Sequence, residues 1–167
     1  MTTEYGAGEH QIEASLQAIR DLGLPAIVLW PNPDAGSDDI ARGIRKWRER
    51  GKDMDMHFFK NLPIQTYVGL MKRTACLVGN SSSGIREGAF IGTPVVNVGT
   101  RQAERERGRK LINVDNNRSA IADAISAQLK TGAYDMDDTY GDGTAGLRIA
   151  DILSHHNVAD VQKRITY

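Results

Sequence analysis

Residues 81–84 are three serines followed by a glycine, and they come shortly after an apolar run that ends at Gly79. Serine hydroxyls and the free N–H groups at a helix start are donors that bind phosphate. Glu87 follows about one helical turn later, where its carboxylate could accept hydrogen bonds from vicinal ribose hydroxyls. The pattern indicates a diphosphate site with a sugar-binding acid beside it. The spacing leaves an alternative open, in which the serines only cap a helix and Glu87 completes a capping box.

Two further polar segments also follow apolar runs. Asn32 and Asp34 come after residues 26–30, and Arg101 comes after residues 94–98. Ligands of open parallel sheets bind beyond the carboxyl ends of the strands, so these side chains are expected to face the same crevice as the serines. Arg101 could supply the positive charge that the serines lack, because a guanidinium suits bidentate phosphate contact. The alternatives are an Asx turn with a helix cap at the first segment and a solvated surface cation at the second.

Apolar runs alternate with helical patterns along the whole chain. Strands are expected at residues 26–30, 54–59, 75–79, 94–98 and 111–114, and helices at 12–22, 37–50, 64–73, 84–91, 119–129 and 147–154. Ser37 or Asp38 would cap the second helix. Short connections between alternating strands and helices predict a parallel sheet with helices on both faces. We therefore expect an α/β protein with a Rossmann-like, doubly wound sheet, in which residues 1–167 form one domain.

The composition argues against several classes of partner. Lys+Arg and Asp+Glu both number 21, so the net charge of zero gives no support to nucleic-acid or membrane-surface binding. No apolar stretch approaches the ~20 residues of a membrane span, and no signal peptide is recognisable. The single cysteine, Cys76, lies in an apolar run and is expected to be buried and inert, which suits a cytoplasmic location. The four histidines lack zinc spacing, and we expect no metal and no cofactor.

Six segments taken together resemble the hydrolysing UDP-N-acetylglucosamine 2-epimerases. They occur in the family's order and cover nearly the whole chain: PNPDAGS at 31–37, KNLP at 60–63, GNSSSGIRE at 79–87, GTPVVN at 92–97, GTRQ at 99–102 and YGDGT at 140–144. The resemblance implies the GT-B architecture, in which two Rossmann-like halves enclose a UDP-sugar cleft. This chain would be the C-terminal half, without the N-terminal half and without the first strand of its own sheet.

The resemblance also assigns roles to individual residues around UDP or UDP-N-acetylglucosamine. The serines would hold the diphosphate, Glu87 the ribose hydroxyls and the backbone of Leu62 the uracil edge, while Asp34 and Arg101 would be the candidates for a part in catalysis. The implied ligand-binding residues are Asn32, Asp34, Leu62, Ser81, Ser82, Ser83, Gly84, Glu87 and Arg101. Arg42 and Arg45 match a regulatory site for CMP-sialic acid in the bifunctional animal members, although a solvent-facing basic stripe would look the same.

In that family the proton at sugar C2 is removed and UDP is eliminated. Water then adds to the glycal and releases N-acetylmannosamine for sialic-acid-type sugars. The charge on the leaving UDP must be stabilised, which Arg101 and the dipole of the helix after the serines would do. The acids for the proton transfer belong to the first half, so the isolated chain is expected to be inactive. The alternatives are the UDP-binding half of a GT-B glycosyltransferase and a non-catalytic nucleotide-binding module. An unpaired sheet edge beside residues 26–30 would favour a homo-oligomer.

Overall fold

Helices and strands alternate along the chain in the order that the apolar runs predict. The computed structural model describes residues 6–51, 55–108 and 110–156. The strands are β1 Ala26–Leu29, β2 Met56–Phe59, β3 Leu77–Gly79, β4 Val95–Val98 and β5 Ile112–Val114. The helices are α1 Gly8–Asp21, α2 Ser37–Glu49, α3 Ile64–Met71, α4 Ser82–Ile85, α5 Glu87–Ile91, α6 Arg118–Thr131 and α7 Ala145–His155.

All strand pairs are parallel, but the strands form two hydrogen-bonded groups. β1 pairs with β2, with Val28 opposite Phe58, and β3, β4 and β5 pair in that order, with Val78 opposite Val96. Within the described ranges, no strand pairs with the other edge of β1, and Ile27 is 47% exposed. The predicted parallel pairing is therefore present, but in two separate sheets rather than one.

Helix α1 joins the two groups of strands through one face. Ala18 belongs to an apolar cluster with Val96, whereas Leu16 belongs to a second cluster with Ile44. Ile19 packs against both clusters. Burying a large aliphatic side chain stabilises the fold by about 1.5–3 kcal/mol, so this helix couples the stability of the two sheets.

Helices cover both faces of β4, which is buried along its whole length. The Val95 side chain faces α4, since a Cβ on Gly84 would lie 3.1 Å from its Cγ1. Val96 packs in the opposite direction, in one cluster with Ile121 of α6 and Ala18 of α1. Neighbouring residues of a strand point to opposite faces, so α4 and the pair α1 and α6 lie on opposite sides of the sheet.

The single helix predicted at residues 84–91 is wrong. The backbone of Arg86, at φ −101° and ψ −77°, divides it into α4 and α5. Hydrogen bonds continue across the division, because Arg86 N–H donates to the Ser82 carbonyl and Phe90 N–H to the Arg86 carbonyl. The dipole next to the serines is therefore that of a single helical turn, which is weaker than the longer helix would provide.

The cap expected for the second helix is also different. Gly36 occupies the N-cap of α2 with φ +86°, and no side chain caps this end. Ser37 is the first helical residue and Asp38 the second, so both lie inside the helix. A glycine accepts this left-handed conformation without the steric cost that a Cβ would bring.

Cys76 is half-buried rather than fully buried, and its environment is that expected of an unreactive thiol. It packs against the apolar cluster that contains Val96. Burial raises the pKa of the Cys76 thiol to about 11, with a smaller opposing effect from a backbone hydrogen bond of Val96. Little thiolate therefore forms at neutral pH, and the thiolate is the reactive species.

The last helix, α7, buries none of its residues. Its large apolar side chains Leu147, Ile149, Ile152 and Leu153 are all more than half exposed. Neither α7 nor any other helix in the described part of the chain is long and apolar enough to cross a membrane.

Candidate functional site

The loops after β1, β3 and β4 meet at the carboxyl ends of the strands. Arg101 Nη2, in the loop after β4, lies 2.6 Å from Asp34 Oδ2 in the loop after β1. Gln102 Nε2 donates to the carbonyl oxygen of Asn80, in the loop after β3, at 2.8 Å. The loop after β4 thus contacts both of the others. One edge of the fold therefore contains Asp34, Arg101 and residues 80–84, the serine segment.

The serine segment is ordered by hydrogen bonds among hydroxyl groups. Ser81 is the N-cap of α4, and its Oγ accepts a bond from Ser83 N–H at 3.4 Å. Ser83 Oγ lies 2.9 Å from Ser81 Oγ and 2.7 Å from the hydroxyl of Tyr67 in α3. The alternative of helix capping is therefore correct for Ser81.

Glu87 does not form the capping box. With Ser81 as the N-cap, the third helical position is Gly84, so the acid of a capping box would stand there. Glu87 is instead the first residue of α5, and it is exposed. Its carboxylate has no hydrogen bond or ion pair with any residue in the described ranges. It is therefore available to an external hydrogen-bond donor.

Backbone groups, rather than an Asx side chain, close the loop after β1. Asp34 N–H donates to the Asn32 carbonyl at 2.7 Å, and Ser37 N–H donates to the Asp34 carbonyl at 3.0 Å. The Asx turn considered for Asn32 is therefore not the one that forms. The Asp34 carboxylate is left to pair with Arg101, and the two side chains are 46% and 36% exposed. The positive charge expected for a phosphate is thus neutralised in this structure.

The segment at residues 60–63 offers an acceptor rather than a donor at Leu62. Leu62 N–H donates to the side chain of Asn61 at 2.8 Å, which leaves the Leu62 carbonyl oxygen for an external group. Pro63 is the N-cap of α3, one position before the first helical residue. Tyr67 of the same helix contacts Ser83 through its hydroxyl. Residues 60–63 are therefore connected to Ser83 through one short helix.

Three other predicted site residues, Gly84, Arg42 and Arg45, lie in helices. Gly84 is buried, and because it has no side chain, α4 can approach Val95 closely. Gly84 therefore allows α4 to pack against β4. Arg42 and Arg45 are exposed on α2, and Arg42 pairs with Asp39 at 3.1 Å. This arrangement matches the solvent-facing basic stripe, and a regulatory role for the two arginines stays a prediction.

Two residues that the sequence did not single out contact the serine segment. Tyr67 resembles any half-buried residue of a helix, and nothing in its spacing marks its hydroxyl. Gln102 stands in the quoted GTRQ segment, but only the structure shows that it is 3% exposed and holds Asn80. Gln102 Oε1 is buried without a hydrogen-bond partner among the described residues. The signal that could have indicated Gln102 is its position in the loop after β4.

A parallel α/β layer with polar loops grouped at the carboxyl ends of its strands defines a Rossmann-like domain. Residues 2–154 match the sequence model of the UDP-N-acetylglucosamine 2-epimerase family. The chain belongs to this family, and the predicted family is confirmed.

Known relatives agree with this assignment. The chain is 30% identical over 169 residues to the UDP-N-acetylglucosamine 2-epimerase of Neisseria meningitidis serogroup B, covering 98% of this chain and 44% of that protein. It is 32% identical over 143 residues to the hydrolysing UDP-N,N'-diacetylbacillosamine 2-epimerase of Legionella pneumophila, covering 86% of this chain and 37% of that protein. The chain therefore spans less than half the length of these relatives.

A solved structure shows the same fold. The UDP-GlcNAc 2-epimerase of Methanocaldococcus jannaschii, crystallised in complex with UDP-GlcNAc and UDP, superimposes with a TM-score of 0.65. The two sequences are 16% identical, and the match covers 89% of this chain and 40% of that one. The predicted Rossmann-like fold of the GT-B type is thereby confirmed.

Proposed function

We propose that this chain binds the UDP part of a UDP-sugar at the loops after β1, β3 and β4, as part of a hydrolysing UDP-N-acetylglucosamine 2-epimerase. The observation that carries the proposal is the free carboxylate of Glu87 beside the serine hydroxyls. The Glu87 carboxylate is exposed and has no partner within the described ranges. It is suited to accept hydrogen bonds from the two hydroxyls of a ribose.

The remaining contacts follow from the donors and acceptors at this edge. The hydroxyls of Ser81 and Ser82 would donate to the diphosphate, with Ser83 holding Ser81 through its own hydroxyl, and the Leu62 carbonyl would accept from the uracil N–H. Arg101 would turn from Asp34 towards the phosphate oxygens. The crystallised relative with UDP-GlcNAc and UDP supports a nucleotide-sugar ligand for this fold.

The diphosphate site would also serve the chemical step. Elimination of UDP from the sugar develops negative charge on the leaving diphosphate, and fixed donors lower the energy of that transition state. Because α4 is a single turn, hydroxyl groups and Arg101 would contribute more than the helix dipole. Water addition to the glycal would then release N-acetylmannosamine for sialic-acid-type sugars, or the corresponding product of a diacetamido UDP-sugar. The homo-oligomer and the cytoplasmic location stay predictions.

Titration calorimetry with UDP tests the proposal on the wild type and on Glu87→Ala. We expect the wild type to bind and Glu87→Ala to bind about tenfold more weakly, since hydrogen bonds to a charged group are lost. Glu49→Ala is the matched control, because Glu49 is an exposed glutamate at the end of α2. Equal dissociation constants for wild type and Glu87→Ala would remove Glu87 from the site, and absence of wild-type binding would refute the proposal.

Replacing Asp34 with asparagine should strengthen UDP binding. The substitution frees the Arg101 guanidinium and removes a negative charge that repels the diphosphate. Two unit charges 4 Å apart in water interact by about 1 kcal/mol, so we expect roughly a fivefold lower dissociation constant at low salt. The gain should shrink as salt is added.

Asp39→Asn is the control for this experiment, because Asp39 forms an exposed pair with Arg42 elsewhere in the fold. We expect it to leave UDP binding unchanged. Weaker binding by Asp34→Asn would show that Asp34 holds Arg101 in its binding position rather than competing for it.

A further inference from the structure

Three hydroxyl groups form a continuous chain from α3 to the exposed end of the serine segment. The Tyr67 hydroxyl lies 2.7 Å from Ser83 Oγ, and Ser83 Oγ lies 2.9 Å from Ser81 Oγ. Tyr67 and Ser83 are half-buried, whereas Ser81 is exposed. This series of three hydroxyl groups therefore ends at the surface where the diphosphate is proposed to bind.

The direction of the hydrogen bonds in this chain decides what Ser81 can offer. Each hydroxyl has one proton, and a phenol is the more acidic and therefore the stronger donor. When Tyr67 donates to Ser83, the Ser83 proton is directed to Ser81 Oγ. That oxygen also accepts from Ser83 N–H, so both of its lone pairs are used. The Ser81 proton is then left to point outwards as a donor.

The opposite direction is less favourable within the described part of the chain. In that direction Ser81 would donate its hydroxyl proton to Ser83, and Ser83 would donate to the phenol oxygen of Tyr67. The Tyr67 proton would then have no acceptor, although the side chain is half-buried. The first direction gives the phenol proton a hydrogen bond within the protein, whereas the second leaves it to solvent, and this favours the first direction.

We infer that Tyr67 is a positioning residue whose hydroxyl donates to Ser83 and thereby orients Ser81 as a hydrogen-bond donor towards the diphosphate. The inference rests on the proposed function for the identity of the ligand. Because α3 begins directly after the segment that contains Leu62, the same bond also fixes the distance between that segment and the serines.

Tyr67→Phe removes only the hydroxyl and keeps the ring in place, so it is the decisive variant. We expect its dissociation constant for UDP to rise about threefold to tenfold, as for the loss of one neutral hydrogen bond. Binding of uridine, which has no phosphate, should not change. In a Ser83→Ala background the substitution should have no further effect, because the link to Ser81 is already broken. Tyr134→Phe is the control phenol and should bind UDP as the wild type does.

A second measurement does not depend on UDP. Tyr67→Phe should shift the backbone amide resonances of Ser81 and Ser83 in the ligand-free protein, with the other resonances little changed. Unchanged Ser81 and Ser83 resonances, wild-type UDP affinity of Tyr67→Phe, or independent effects of Tyr67→Phe and Ser83→Ala would each overturn the inference. A wild type that binds no UDP would overturn the proposed function. The amide resonances of Ser81 and Ser83 would then be the test of whether Tyr67 orients Ser83 and Ser81.

Discussion

Replacing Gly92 with alanine is expected to lower the free energy of unfolding by about 3 kcal/mol or more. Gly92 ends α5 with φ +82°, a conformation that costs an L-residue with a Cβ ~1–2 kcal/mol. A Cβ at this position would also overlap the carbonyl oxygen of Tyr134, whose N–H donates to the Gly92 carbonyl at 3.0 Å. Overpacking of this kind adds roughly 1–3 kcal/mol. Urea unfolding followed by circular dichroism measures the loss.

Gly23→Ala is the matched control for this prediction. Gly23 lies just beyond the end of α1 with φ +64°, and apart from its chain neighbours no described residue lies within 4 Å of the position its Cβ would take. It should therefore show only the conformational cost, about 1–2 kcal/mol. Equal losses in the two variants would mean that the backbone at Tyr134 moves aside freely, and the predicted overlap would be wrong.

Replacing Gln128 with leucine should destabilise the fold by about 3 kcal/mol, although the two side chains are similar in size. Gln128 lies on α6, is 1% exposed, and its Nε2 donates to the carbonyls of Val95 and Lys110 at 2.8 Å each. A leucine leaves the carbonyl of the buried Val95 and the carbonyl of the exposed Lys110 without this donor, and a buried acceptor that loses its partner costs about 1–3 kcal/mol. Thermal and urea unfolding of the variant measure the effect.

Gln17→Leu provides the comparison, because Gln17 is a half-buried residue of α1, which packs against α6. Among the described residues its side chain forms only long hydrogen bonds, at 3.4 Å to Glu13 and to Arg118. We expect a change within about 0.5 kcal/mol. A Gln128→Leu protein that is as stable as this control would show that water replaces the lost donor.

Local patterns were enough for the order of the elements. Apolar runs of four or five residues marked the strands, and the three- and four-residue spacing of Leu16 and its neighbours marked α1. The ends were less accurate, since the strand expected from residue 75 begins at Leu77. The break at Arg86 could not be predicted, because both sides of it have helical sequences. Packing of Gly84 and Gly88 against one residue, Val95, sets the path of the backbone there.

Part of the candidate site could be predicted from the sequence. The position of Asp34, Arg101 and the serines after strand ends predicted that they share one edge, because parallel strands end on the same side of a sheet. The pairing of Asp34 with Arg101 was not predicted. The two residues are 67 positions apart, and no local spacing relates them. The same holds for Tyr67 and Ser83, whose contact depends on how α3 packs beside the serine segment.

The sequence by itself therefore determined the class of fold, the family and the edge at which polar groups collect. These features follow from hydrophobic periodicity and from short motifs, which act over a few residues. Only the tertiary structure decided that the charge of Arg101 is balanced by Asp34, that Gln102 donates to the Asn80 carbonyl, and that the Tyr67 hydroxyl lies 2.7 Å from Ser83 Oγ. Those features depend on distances of about 3 Å between residues remote in sequence, and such distances arise only when helices and strands pack in three dimensions.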